Sequence, residues 1–87
     1  MHRDITQITK TSLVAFSGGE FVAPAEHGML FRCSEAGNIQ VQYLNDPEGT
    51  HRTIPLSGIN EWLPDRILKI IEAGTTVSVA SITVGYN

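Results

Sequence analysis

The stretch that most constrains this chain is residues 63–86, LPDRILKIIEAGTTVSVASITVGY, where two apolar arms flank Ala73-Gly74-Thr75-Thr76. Gly74 accepts a positive φ without steric cost, and threonine hydroxyls bond readily to nearby backbone, so the tetrapeptide reads as a tight turn. Ile67, Leu68, Ile70 and Ile71 precede it; Val77, Val79, Ala80, Ile82 and Val84 follow. Successive residues of a strand point to opposite faces. Apolar side chains at odd and even positions of both arms therefore predict a hairpin that must be covered on both faces. In a chain of 87 residues, one of those covers is expected to be another copy of the protein. Ile67, Leu68, Ile70, Ile71, Val77, Val79, Ile82 and Val84 are then split between core and oligomer interface.

The first arm also fits a helix. Pro64 would lie in its first turn, Asp65 would pair with Lys69 at i,i+4, and Gly74 would stop it. The shortness of the apolar run and its β-branched residues favour a strand.

Size supports the need for a second cover. A domain this small buries only about 60–65% of its unfolded surface, and such chains usually add disulfides, a metal or oligomerisation. The single Cys33 cannot form an internal disulfide, and His2, His27 and His51 lie far apart with no metal-ligand spacing. Oligomerisation remains. The net charge is −3, and the six Lys and Arg residues form no cluster, which disfavours nucleic acid as a partner. No apolar run approaches the roughly 18–20 residues of a membrane span. The opening Met1-His2-Arg3-Asp4 is unlike a signal segment, so the expectation is a soluble protein made inside the cell.

Residues 1–11 are expected to form an extended arm, frayed or laid on a neighbouring subunit through Ile5 and Ile8, and residues 12–87 a single β domain. Leu13, Val14 and Phe16 precede a Ser17-Gly18-Gly19-Glu20 turn; Phe21 and Val22 follow it. Residues 29–34 alternate, with Met29, Phe31 and Cys33 on one face and Leu30 and Arg32 on the other. After a turn at Glu35-Ala36-Gly37-Asn38, residues 39–44 alternate again, with Ile39, Val41 and Tyr43 facing in. These two strands are expected to pair as a hairpin. Asn45-Asp46-Pro47-Glu48-Gly49 is a loop. Residues 51–56 form a strand in which Pro55, lacking an N–H, marks a sheet edge. Trp62 is expected to bury most of its ring. The sum is an all-β chain, a small antiparallel sandwich or barrel of about six to eight short strands.

No residue pattern points to catalysis, a cofactor or a metal. Cys33 falls in step with Met29 and Phe31 and reads as a buried thiol rather than a nucleophile. The pairs Asp46/Glu48 and Glu61/Asp65 read as solvated surface. Ser17-Gly18-Gly19-Glu20 lacks the Lys-Ser/Thr of a phosphate loop.

The order Gly28-Met29-Leu30-Phe31, Gly37-Asn38-Ile39-Gln40-Val41, Thr53-Ile54-Pro55-Leu56-Ser57-Gly58, Leu63-Pro64-Asp65-Arg66-Ile67, Ala73-Gly74-Thr75-Thr76 and Ile82-Thr83-Val84-Gly85-Tyr86 resembles a known group. These are the small virion proteins of tailed bacteriophages and gene transfer agents of the head-spike base, or capsid-decoration, type. Two features depart from that group: Asp65 follows Pro64 where an apolar residue is more usual, and the first ten residues do not match. The resemblance implies a non-enzymatic structural component of the virion, synthesised in the host cytoplasm. Such a component self-associates and docks on a capsid or tail protein. A second reading is a ligand- or carbohydrate-binding β module of a larger fibre, with Trp62, Tyr43 and Tyr86 stacking on a sugar.

Overall fold

A computed structural model describes residues 8–87 of the chain. Among them seven strands form: β1 (Lys10–Leu13), β2 (Glu20–Val22), β3 (Leu30–Cys33), β4 (Ala36–Tyr43), β5 (Arg52–Ser57), β6 (Ile67–Ile71) and β7 (Ile82–Tyr86). A single 3-10 turn, Val79–Ser81, precedes β7. The strands make two antiparallel sheets, one in the order β1-β7-β3 and one in the order β2-β6-β4-β5. The fold is a small β-sandwich, as the strand pattern predicts. Its core joins Phe31, Cys33, Ile82 and Val84 of the three-stranded sheet to Ile39, Val41, Ile67 and Ile70 of the four-stranded one. Met29, Val14 and Val77 complete it.

The strand pairings differ from those expected. The arms around Ala73-Gly74-Thr75-Thr76 do not form a hairpin: β6 pairs with β2 and β4, whereas β7 pairs with β1 and β3. The second arm is also shorter than expected, since Val79 lies in the 3-10 turn. Likewise β3 and β4, although adjacent in sequence, belong to opposite sheets; β3 pairs with β7, and β4 with β5 and β6. In both cases the connection carries the chain across the sandwich. Ser34 and Glu35 are the only residues between β3 and β4 and neither has positive φ, which the tightest hairpin turns need. Gly37 is inside β4, where a Cβ would stand 2.8 Å from Thr76 Oγ1 and 2.9 Å from Val77 Cγ1.

This topology explains the two-sided apolar pattern. The β4–β6 register passes from Gln42↔Lys69 to Tyr43↔Ile67, so Leu68 is an extra residue in β6. Such a bulge shifts the alternation by one, and both Ile67 and Ile70 reach the core. Ile71, paired with Gln40, and Leu30, paired with Gly85, are buried although neither belongs to the core cluster. The chain's own loops reach over both outer faces. Trp62 lies over the three-stranded sheet. Its ring is 5.0 Å from the Arg32 guanidinium, and a Cβ at Gly85 would be 2.8 Å from Trp62 Cη2 and 2.9 Å from Ile8 Cδ1. Residues 45–50 fold over the four-stranded sheet: Gly49 N–H donates to buried Gln42 at 3.3 Å, and Glu48 reaches Lys69.

Candidate interaction surfaces

Among the described residues, no group of three or more His, Cys, Asp or Glu is arranged to hold a metal. Cys33 is buried in the core, its Sγ 3.3 Å from Ser81 Oγ and 3.4 Å from the Glu35 carbonyl. Ser17-Gly18-Gly19-Glu20 is a turn closed by reciprocal backbone bonds between Ser17 and Glu20, with positive φ at both glycines.

The acidic pair in the β4–β5 loop is structural rather than merely solvated. Asp46 caps the loop: it accepts from Tyr43 N–H at 3.2 Å and takes a two-point bond from Arg52 at 2.8 and 2.9 Å. That guanidinium bond holds the Asp46 carboxyl below the usual carboxylate range, against an opposing contribution from burial. Arg52 in turn stacks on Tyr43, 5.5 Å from the ring centre. On the outer face of the four-stranded sheet, Lys69 donates to Glu48 at 3.0 Å and to Glu20 at 3.3 Å. Hydrogen bonding to Glu48, then to Glu20, raises the Lys69 pKa, and the same bond to Lys69 lowers that of Glu48.

Most of the candidate interface residues are claimed by the chain's own core and loops. Ile67, Ile70, Ile71, Val77, Ile82 and Val84 are buried in a single copy, Leu68 is half-buried, and Val79 is 40% exposed. Within one copy the chain itself covers most of this run, because its two arms occupy different sheets. Of the arm residues, Ile8 packs over Gly85 of its own chain; Ile5 lies outside the described residues. Trp62, Tyr43 and Tyr86 do not form one stacking platform. Trp62 covers the outside of the three-stranded sheet, while the two tyrosines pack against the core. Tyr43 also lines a cleft of about 420 Å³ with Leu44, Asn45, Asp65 and Arg66.

The exposed sheet edges were not legible from periodicity and differ sharply from one another. In an antiparallel ladder, alternate residues aim both N–H and C=O at the same neighbour. On β4, Asn38 N–H donates to Thr76 Oγ1 and its carbonyl accepts from Thr76 N–H. Asn38 thus faces the β6 side, and Pro55 opposite it aims outward. The missing N–H of Pro55 costs the β4–β5 ladder nothing and blunts the free edge of β5. On β2, bonds from Glu72 N–H to Gly19 and from Ala23 N–H to Leu68 leave Glu20 and Val22 facing outward, and Ser17 occupies Glu20. The outer edge of β3 is taken by Leu63 N–H on the Phe31 carbonyl and by the reciprocal Met29–Ile67 bonds.

β1 is different. Ser34 N–H donates to the Ser81 carbonyl, so odd-numbered residues of β7 face β3 and even-numbered ones face β1. Lys10 and Ser12, opposite Tyr86 and Val84, therefore complete the ladder, and Thr11 and Leu13 aim outward. Among the described residues, only Ser12 Oγ bonds to these outward groups, donating to the Leu13 carbonyl at 3.1 Å. The Leu13 side chain is 70% exposed.

Comparison with family models, with curated proteins and with solved structures finds no match.

Proposed function

We propose that this chain is a non-enzymatic structural protein of a phage or phage-like particle, a capsid-decoration or spike-base component. In this reading it works by association with copies of itself and with a capsid or tail partner. One observation carries the associative part: Leu13, the most exposed of the large apolar side chains among the described residues, sits on a sheet edge whose hydrogen-bonding groups face outward. Scattered apolar residues on a surface are ordinary, but an apolar side chain on an unblocked edge is the arrangement that recruits another strand. The particle setting rests on the resemblance of residues 28–86 to head-spike base proteins.

The test is physical location. Antibody raised against the chain should label particles released from the source culture and should co-sediment with them through a density gradient. Recovery of the chain only from the particle-free soluble fraction overturns the proposal.

The cleft beside Tyr43 favours one other reading, a ligand-binding β module. An aromatic ring, the Asn45 amide and the Asp65 and Arg66 side chains around about 420 Å³ suit a polar, ring-shaped ligand such as a sugar. A glycan array probed with the wild type and with Tyr43→Ala separates the two. Binding lost in the variant supports the module, and no binding to any glycan removes it.

A further inference from the structure

The four outer strands of the sandwich are β1, β3, β2 and β5. The other three are interrupted for strand addition: β5 at Pro55, between outward Thr53 and Ser57, β3 at Met29 and Phe31, which leaves Cys33, and β2 at Glu20, which leaves Val22. Among the described residues, only β1 presents two consecutive outward positions, Thr11 and Leu13, that both keep an N–H and bond to no other segment of the chain. Selective blocking of the other edges is what a chain needs if one edge is to be used and the rest kept from random pairing.

We propose that β1 pairs antiparallel with β1 of a second copy, about a two-fold axis through Ser12, joining the two three-stranded sheets into one. The inference rests on the reading of the chain as self-associating. The register follows from the edge itself. With Ser12 opposite Ser12, Thr11 lies opposite Leu13 of the second copy and Leu13 opposite Thr11. Both outward residues of each copy then form hydrogen-bonded pairs. The Leu13 carbonyl has a second lone pair beside the one taken by Ser12 Oγ. Residues directly opposite share a face, so each Leu13 covers the neighbouring Thr11 on the outer side of the joined sheet. Charge selects the same register: Lys10 falls opposite Val14 of the second copy, away from the other Lys10. A two-fold pairing uses one patch twice and closes, which a foreign strand does not require. A four-residue edge buries much less than the roughly 800 Å² per partner of a standard interface. The dimer is therefore of the weak, concentration-dependent kind.

The experiment is solution mass by sedimentation equilibrium over a wide concentration range, combined with cross-linking. Wild type should rise from the monomer mass to twice that mass. Thr11→Pro removes an outward N–H without touching the β1–β7 ladder, as Pro55 does on β5. Leu13→Lys places a charge on an exposed side chain and leaves the core alone. Both should stay monomeric with an unchanged circular dichroism spectrum. Ser12→Cys should form an intermolecular disulfide on mild oxidation. A non-hydrogen-bonded antiparallel pair sets the two Cα atoms about 4.5 Å apart, within the roughly 4.4–6.8 Å a disulfide spans, and Cys33 is buried and does not compete. If wild type doubles its mass but both blocking variants do so too, and Ser12→Cys does not cross-link, the β1 interface is wrong while self-association stands. If wild type is a monomer at every concentration, both are wrong.

Discussion

Thr76 and Asn38 hold each other at two points: Asn38 N–H donates to Thr76 Oγ1 at 2.9 Å, and Thr76 N–H donates to the Asn38 carbonyl at 2.9 Å. One residue earlier, Thr75 Oγ1 accepts from Gln40 N–H at 3.0 Å and donates to the Ile71 carbonyl at 2.7 Å. The two threonines thus extend the β4–β6 ladder past the end of β6. They do with hydroxyls what strand backbone does elsewhere.

Thr75→Val keeps the shape and removes both hydroxyl bonds in a half-buried setting. It should cost about 1–3 kcal/mol, the penalty of leaving partly buried backbone groups without partners. Thr76→Val should cost less than about 1 kcal/mol, because its hydroxyl is exposed and water replaces it. Urea midpoints at unchanged slope measure both. Equal costs would show that the Thr75 bridge is not special.

The glycines at Gly28 and Gly85 should rank differently on substitution by alanine. At Gly28, with φ of 78°, a Cβ would stand 2.8 Å from the Ile67 carbonyl oxygen. That oxygen is part of the bridge to Met29 and cannot withdraw. At Gly85 the nearest atoms are the ends of the Trp62 and Ile8 side chains, at 2.8 and 2.9 Å, which can shift. Gly85→Ala should therefore cost about 1–3 kcal/mol by overpacking and change Trp62 fluorescence. Gly28→Ala should cost more and leave the tryptophan signal unchanged. The reverse order in thermal unfolding would contradict the packing described.

Arg32 Nε is buried and has no hydrogen-bond partner among the described residues, while the guanidinium lies 5.0 Å from the Trp62 ring centre. The stack is worth roughly 0.5–2 kcal/mol; an unpaired buried N–H costs about 1–3 kcal/mol. Arg32→Met keeps the apolar stem against the ring and deletes the orphan donor. Its expected effect on the melting temperature is neutral to stabilising. A clear fall would mean that the stack outweighs the orphan.

Acid should loosen the β4–β5 loop. Arg52 lowers the Asp46 pKa in the folded protein, and Lys69 lowers that of Glu48. A carboxylate with a depressed folded pKa stabilises above its unfolded value and loses that contribution as pH falls through the folded one. The raised Lys69 pKa works in the opposite direction: its contribution is full below the ordinary lysine range and is lost only as pH climbs through the folded value. Urea midpoints should therefore fall between about pH 5 and about pH 2. Asp46→Asn should be less stable at neutral pH and lose less on acidification. An acid limb equally steep in the variant would remove Asp46 as its cause.

The local elements were legible in the chain where one physical signal decided them. Alternation placed Ile39 and Val41 in the core, and the missing N–H of Pro55 put β5 at an edge. Cys33 was recognisable as a core residue from its phase with Met29 and Phe31. Partners were not legible, because alternation says which way a side chain points and nothing about which strand lies alongside. The two supposed hairpins failed for that reason. The bulge at Leu68 then mimicked a strand with two apolar faces, because it shifts the alternation by one residue. The open edge of β1 was hidden differently. It depends on the hydrogen-bonding phase of Thr11 and Leu13 against β7, which Lys10-Thr11-Ser12-Leu13 does not encode by residue type.

The crossing of β3–β4 and β6–β7 from sheet to sheet has a kinetic consequence. Among the described residues, only β4 and β5 are both consecutive in the chain and paired, so a hairpin can nucleate early there. The β1-β7-β3 sheet has no such local start, since β1 and β3 each wait for β7 to arrive from far along the chain. Closing long loops before any contact rewards them slows folding. Refolding should accordingly be slow for so short a polypeptide. The β1 edge that carries Leu13 should therefore become native only once β7 has docked.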